Sequence, residues 1–327
     1  MRLLPQTPST FAWAVLLGAG MATAGAGALL GFSVPVQEIR VTVVLVAGLL
    51  AVAAWSEVVW NSPAIAEPCA LFAFWVAMLA ILLPASYFAA AYNLPLVDAE
   101  FSRWDYAVGF DWRWFQGLFA RHVWAARISA RIYQYAVLQA LLAVICLAAN
   151  REMVRLNTYL SSLLIATIIT IVLSALLPAT GAYTYYGLTD ADKGHLLDFV
   201  MVPSYIADFT AVRAGTLRHL GLDLDGIIQF PSYHTIIALS AAWATWKVRW
   251  IGPLNAAVTA AVVVTTLPIG GHHLIDLAGG AVVFAGSLVF VTAVERPSAP
   301  TRVALVDVAE QPDFVWTRAR PVWRMLR

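Results

Sequence analysis

The chain contains eight runs of mainly apolar residues, each close to the length at which a helix crosses a membrane. They cover residues 11–33, 41–60, 69–92, 132–149, 158–177, 232–247, 253–269 and 273–293. A spanning helix needs about 20 such residues. The sequence therefore predicts an all-α, polytopic membrane bundle of about eight transmembrane helices.

The composition supports this fold class and excludes others. Hydrophobic residues make up 61% of the chain and charged residues only 12%, whereas about a quarter of a soluble protein is charged. The formal net charge of +1 shows no basic excess that would bind nucleic acid. Cys69 and Cys146 both lie inside apolar runs, so no disulfide framework is predicted.

The distribution of lysine and arginine predicts the orientation. Eight spans place both termini on one side, together with eleven basic and seven acidic residues, whereas the other side has nine basic and twelve acidic residues. Because positive charge favours the cytoplasm, the termini and the segment 295–327 are predicted to be cytoplasmic. All six histidines then lie on the extracytoplasmic side. Tryptophans in the outward segment 93–131 predict helices in the headgroup layer.

Histidine and aspartate beside lipid indicate a functional site. The sequence GGHHLID places His272 and Asp276 at the start of the eighth run. Residues four apart share a helix face, so Asp276 is positioned to hold one ring nitrogen of His272 and to activate the other. His273 is an alternative partner of Asp276 at a spacing of three. Gly270 and Gly271 leave room for a phosphate near backbone N–H groups.

Another histidine, His234, lies at the start of the sixth run, in the sequence FPSYHT. One run separates the two motifs, so they are predicted at the same membrane face. His234 could then protonate a leaving oxygen while a histidine of the other motif attacks phosphorus. Ser232 is predicted to donate its hydroxyl to a phosphate oxygen.

A phosphoryl transition state carries negative charge that cations stabilise. Arg213 and Arg218 are the nearest cations in sequence, with further candidates at Arg121, Arg127, Arg131 and Lys193. The predicted phosphate-binding set is Ser232, Tyr233, Gly271, Arg213 and Arg218. A zinc site at His272, His273 and Asp276 is a weaker alternative, and no nucleotide-binding signature occurs. No metal and no cofactor are predicted.

PSYH followed one helix later by GGHHLID resembles the second and third signature motifs of the type-2 phosphatidic acid phosphatase superfamily. The wider pattern LLPATGAY, GIIQFPSYHT and TTLPIGGHHLIDLAGG is similar to a narrower branch, the aureobasidin-sensitive inositol phosphorylceramide synthases and their bacterial relatives. The similarity covers about 93–290. It implies a six-helix phosphatase core at 69–294, two additional N-terminal helices within 1–68, and a bacterial inner-membrane location.

The resemblance also implies roles for individual residues. His272 becomes the nucleophile, which decides against His273, with Asp276 as its orienter and His234 as the acid. Two family features are missing: LLPATGAY replaces the first motif with its lysine and arginine, and Thr265 and Thr266 replace the Ser-Arg pair of the third. Phosphate binding must then rely on other cations.

The sequence thus predicts a metal-independent membrane enzyme that cleaves a phosphate ester of a lipid through a phosphohistidine at the extracytoplasmic face. Water as acceptor makes it a phosphatase, and a lipid hydroxyl makes it a headgroup transferase. Its partners are the lipid phosphate or phospholipid substrate and the surrounding membrane lipids. The alternative from another class is a non-catalytic lipid-binding or transport protein whose polar residues bind a headgroup.

Overall fold

A computed structural model of the chain describes residues 8–199, 202–221 and 224–295. Beyond Glu295, the predicted cytoplasmic tail lies outside these residues. Among the described residues, seven helices are long and apolar enough to cross a membrane: α1 (Thr10–Leu29), α2 (Val36–Val58), α3 (Pro63–Ala91), α6 (Val123–Ala149), α7 (Met153–Leu176), α12 (Ile251–Gly270) and α13 (Leu274–Val294). The protein is an integral membrane protein.

Shorter helices connect these spans. They are α4 (Asp98–Ala107), α5 (Trp112–Ala120), α8 (Ala182–Tyr185), α9 (Asp190–Lys193), α10 (Val202–Arg213) and α11 (Tyr233–Thr245), with one 3-10 turn at Gly194–Leu196. The described ranges contain no β-strand, only an isolated bridge between Ser33 and His219. The predicted all-α polytopic bundle is confirmed. Of the eight predicted spans, seven reach spanning length, and the sixth is the 13-residue helix α11, about 20 Å long.

Four spans were predicted to start too late. Helix α2 begins at Val36 rather than at 41, and α3 begins at Pro63 rather than at 69. Helix α6 begins at Val123 rather than at 132, and α7 begins at Met153 rather than at 158. The arginines at 127, 131 and 155 interrupted the apolar pattern. In the structure the side chains of Arg127 and Arg131 are exposed one turn apart on α6, so they extend the helix instead of ending it.

Helix α11 lies inside the bundle and packs against α6, α7, α12 and α13. Helix α7 also contacts α3 and α13, and α12 contacts α6. These six helices bury large side chains such as Phe74, Tyr159, Leu160 and Ile236. Helix α1 packs on α3 and α7, and α2 on α3. The division into N-terminal helices, core and tail stays a prediction.

The predicted headgroup-layer segment contains the short helices α4 and α5. Trp104, Trp114 and Trp124 are exposed, as expected for side chains at a membrane interface. Trp112 is an exception because it is fully buried. Its indole N–H donates to the backbone oxygen of His272 at 2.9 Å, which ties α5 to the turn between α12 and α13.

Candidate active site

The turn between α12 and α13 carries His272 and positions it against Asp276. Gly271 ends α12 in the left-handed conformation, with φ of 69°, which glycine adopts without steric cost. Nδ1 of His272 lies 3.1 Å from Oδ2 of Asp276. The same oxygen accepts the backbone N–H of His273 at 2.8 Å. Both side chains are buried, with 3% of His272 and 0% of Asp276 exposed.

The second motif opens α11 directly beside this turn. Ser232 caps the helix, and its oxygen accepts from the backbone N–H and the hydroxyl of Thr235. The backbone N–H of Ser232 donates to the backbone oxygen of Asp276 at 2.9 Å. The structure therefore brings the two predicted motifs together through a direct backbone hydrogen bond. His234 follows in the first turn of α11.

A cavity of about 250 Å³ joins the two histidines, since both His234 and His272 line it. Its apolar wall comes from α3 and α7 and includes Met78, Leu82 and Ile171. Its polar lining is Ser86, Tyr133, Thr167, Thr170, Tyr205, Asp225, Gln229 and Tyr233. No lysine or arginine of the described ranges lines it. The cavity thus combines an apolar wall with hydroxyl groups near the two histidines.

Of the predicted phosphate-binding residues within the two motifs, Tyr233 lines the cavity, whereas Ser232 and Gly271 do not. Tyr233 lines the cavity, with its hydroxyl 2.8 Å from that of Thr167. Ser232 is fully buried in its capping role. Gly270 rather than Gly271 lines the cavity, and the backbone oxygen of Gly271 accepts from Ala182 at 2.7 Å.

The two predicted arginines are not brought to the cavity. Arg213 donates to the backbone oxygen of Leu94 at 2.8 Å and lies over the ring of Phe209. Arg218 donates to the backbone oxygen of Val212 at 3.0 Å and lies over the ring of Phe32. Although both arginines are close to FPSYHT in sequence, they are not close to the cavity in space. Their guanidinium groups instead bind backbone oxygens of the segments that connect the spans.

Helix α4 supplies two buried aspartates that accept backbone N–H groups of segments next to the site. Asp105 accepts the backbone N–H groups of Leu274 and Ile275 at 2.8 and 3.0 Å and so caps α13. Asp98 accepts those of Thr180 and Gly181 at 2.9–3.0 Å. The two carboxylates are seven residues apart, on one face of α4.

His273 lies between these carboxylates, with ring nitrogens 3.5 Å from Asp98 and 3.7 Å from Asp105. Burial alone lowers the pKa of His273, but interactions with Asp105 and Asp98 outweigh it and raise the pKa to about 9. The ring is therefore a cation at neutral pH. It is an internal counter-ion directed away from His272, which fits the assignment of the nucleophile to His272.

The zinc alternative gains no support from this geometry. His272 and His273 are directed to different carboxylates. Within residues 8–199, 202–221 and 224–295, no group of three or more histidine, cysteine, aspartate or glutamate side chains is arranged to hold a metal ion.

Sequence reasoning missed several side chains around the site. Tyr133 lines the cavity from α6, and its hydroxyl lies 3.2 Å from Nδ1 of His234. Gln229 and Tyr205 also line the cavity. No motif marks Tyr133 or Tyr205, whereas Gln229 stands within the quoted pattern GIIQFPSYHT. The seven-residue spacing of Asp98 and Asp105 was the one available signal, because it predicts a shared helix face.

A family model described as the PAP2 superfamily matches residues 99–290, more than half of the chain. The chain belongs to the PAP2 superfamily. The matched range includes both histidine motifs and Asp105 of α4, whereas Asp98 and helix α3, which forms part of the cavity wall, lie before it. Membership of the PAP2 superfamily supports a phosphatase-type enzyme acting on lipid phosphate. No curated protein and no solved structure matches the chain.

Proposed function

We propose that this PAP2 protein is a lipid phosphatase or phosphotransferase that cleaves a lipid phosphate ester through a phosphohistidine on His272. The observation that carries the proposal is that one cavity is lined by two histidines, one of which has a carboxylate on Nδ1. An imidazole held in this way has its other nitrogen, Nε2, free to attack phosphorus.

In the first half-reaction, Nε2 of His272 forms a bond to phosphorus while the bond from phosphorus to the leaving oxygen breaks. His234 donates a proton to that oxygen, so the product leaves as an alcohol. Asp276 stabilises the positive charge that develops on the ring of His272.

In the second half-reaction, a hydroxyl oxygen bonds to phosphorus and the bond to His272 breaks. His234 takes the proton of that hydroxyl. Water gives hydrolysis, and a lipid alcohol gives a new phosphate ester. The branch related to inositol phosphorylceramide synthases would correspond to the second outcome.

A lipid substrate is supported by the wall of the cavity. Met78, Leu82 and Ile171 come from helices long enough to span the membrane, and apolar side chains of this kind pack against acyl chains. The phosphate would then lie at the histidines, beside the hydroxyls of Tyr133 and Tyr233. The charge distribution of the segments between the spans supports cytoplasmic termini and an extracytoplasmic site in a bacterial inner membrane.

The proposal is tested by incubating detergent-purified protein with a panel of lipid phosphates. Phosphatidic acid, phosphatidylglycerol and phosphatidylinositol would each be assayed with and without ceramide or diacylglycerol as acceptor. His272→Ala is the inactive variant. His122→Ala is the matched control, because that histidine is exposed at the start of α6 and outside the cavity.

Release of phosphate or of a phosphorylated headgroup by the wild type and by His122→Ala, but not by His272→Ala, is the expected result. A new phospholipid in the acceptor samples identifies a transferase. No turnover of any lipid by folded wild-type protein would contradict the proposal and favour the non-catalytic lipid-binding or transport function.

A further inference from the structure

His234 has a neutral partner on its ring. The hydroxyl of Tyr133 lies 3.2 Å from Nδ1 of His234, and the two rings stack with centroids 4.1 Å apart and an angle of 24° between them. Tyr133 is buried in the middle of α6, and both side chains line the cavity. The contact therefore fixes both the tilt of the imidazole and the environment of its Nδ1.

The two histidines of the cavity differ in the partner that holds Nδ1. A carboxylate holds His272. In the part of the chain that the structure describes, Tyr133 is the one polar group within hydrogen-bond distance of the His234 ring. A carboxylate stabilises the protonated ring and so would oppose proton release, whereas a phenol orients the ring without adding negative charge. The phenol is thus the better partner for an acid.

Given the phosphoryl transfer proposed above, we infer that Tyr133 is a positioning residue for His234 that holds Nδ1 so that Nε2 serves the leaving oxygen. When His234 is protonated on both nitrogens, Nδ1–H donates to the oxygen of Tyr133. As the bond between phosphorus and the leaving oxygen breaks, the proton of Nε2 moves to that oxygen. His234 is then neutral, with its remaining proton still on Nδ1 and still donated to Tyr133.

The same arrangement serves the second half-reaction. Nε2 of His234 now lacks a proton and accepts one from the incoming hydroxyl as its oxygen bonds to phosphorus. The oxygen of Tyr133 accepts the Nδ1–H throughout, so the imidazole of His234 keeps one orientation in both half-reactions.

The test compares esters that need an acid with esters that do not. One pair is hexadecyl phosphate and p-nitrophenyl phosphate, and a diester pair is dihexadecyl phosphate and hexadecyl p-nitrophenyl phosphate. An alkoxide needs protonation to leave, whereas p-nitrophenolate leaves readily without it. Single turnovers with protein in excess report the first half-reaction alone.

Tyr133→Phe keeps the ring and removes the hydroxyl. For the alkyl ester we expect a rate about tenfold lower, the size of one lost hydrogen bond in the transition state. For the p-nitrophenyl ester we expect a change under about twofold. His234→Ala should show the same contrast at roughly 100-fold, and the double variant should lose no more than His234→Ala. Tyr159→Phe is the matched control, because Tyr159 is buried on α7, does not line the cavity and donates its hydroxyl to the backbone oxygen of Ala140.

Each outcome separates this inference from the function on which it rests. Equal losses for both esters in Tyr133→Phe, or additive losses in the double variant, would overturn the role of Tyr133 while leaving the enzyme assignment intact. Turnover that survives His272→Ala, or no turnover of either pair by folded wild type, would overturn the proposed function itself.

Discussion

Replacing Asp276 with asparagine removes the negative charge at His272 while keeping the shape of the turn. Oδ2 of Asp276 accepts from Nδ1 of His272 at 3.1 Å and from the backbone N–H of His273 at 2.8 Å. Oδ1 has no hydrogen-bond partner among the described residues. An asparagine whose carbonyl oxygen takes the place of Oδ2 therefore keeps both hydrogen bonds, with its NH₂ where Oδ1 stands.

The expected loss of activity in Asp276→Asn follows from the difference in hydrogen-bond strength between a charged and a neutral acceptor. A hydrogen bond to a charged group contributes about 1.5–3 kcal/mol, and a neutral one about 0.5–1.5 kcal/mol. The loss of about 1–2 kcal/mol of transition-state stabilisation corresponds to a kcat roughly 5- to 30-fold lower. Asp276→Ala also leaves two buried donors without an acceptor, at about 1–3 kcal/mol each. We therefore expect Asp276→Ala to be both less active and less stable than Asp276→Asn.

The assay is phosphate release by purified protein under saturating lipid, with thermal unfolding in the same detergent. Asp190→Asn is the matched control, because Asp190 is exposed on α9 and pairs with Lys193. An Asp276→Asn variant with the fold stability and the kcat of wild type would refute the role of the carboxylate. An Asp276→Asn variant as inactive as His272→Ala would show that the amide had turned its NH₂ toward the ring.

Three further predictions concern the surroundings of the site. The pKa of His273 is raised to about 9 from an unfolded value near 6.5, so its stabilisation is complete below about pH 6.5 and lost as pH rises through 9. The thermal midpoint should fall across that window, and His273→Asn should flatten the dependence; an unchanged slope would contradict the ion pairing. Gly271→Ala places a Cβ 2.7 Å from a neighbouring tyrosine ring at φ of 69°. It should lower stability by about 1–3 kcal/mol in thermal unfolding, whereas Gly286→Ala, which has open space around it, should not. Arg213→Gln and Arg218→Gln should leave KM for the lipid within about twofold, because both guanidinium groups are bound elsewhere; a tenfold rise in KM would place one of them at the phosphate.

The convergence of the two histidine motifs could be predicted because it depends on local rules. A spacing of four residues places His272 and Asp276 on one helix face, and one span between the motifs returns the chain to the same end of the bundle. Both rules hold however the helices pack. For this reason the His272–Asp276 pair and its closeness to His234 appear in the structure as expected.

The residues that the sequence did not reveal depend on how distant helices pack. Tyr133 lies about a hundred positions before His234 and reaches it only because α6 packs on α11. Trp112 looked like an interfacial side chain, yet it is buried against His272. Arg213 and Arg218 illustrate the reverse case, since sequence proximity to the motif did not bring them to the cavity.

Trapping the covalent intermediate tests the central claim most directly. Protein in excess would be mixed with lipid labelled in its phosphate, quenched in alkali at short times, and digested for mass spectrometry. The account predicts a phosphorylated peptide with the group on His272, formed and lost at rates that match turnover, and absent from His272→Ala. Turnover without any covalent phosphate, or with the phosphate on His273 or His234, would contradict it.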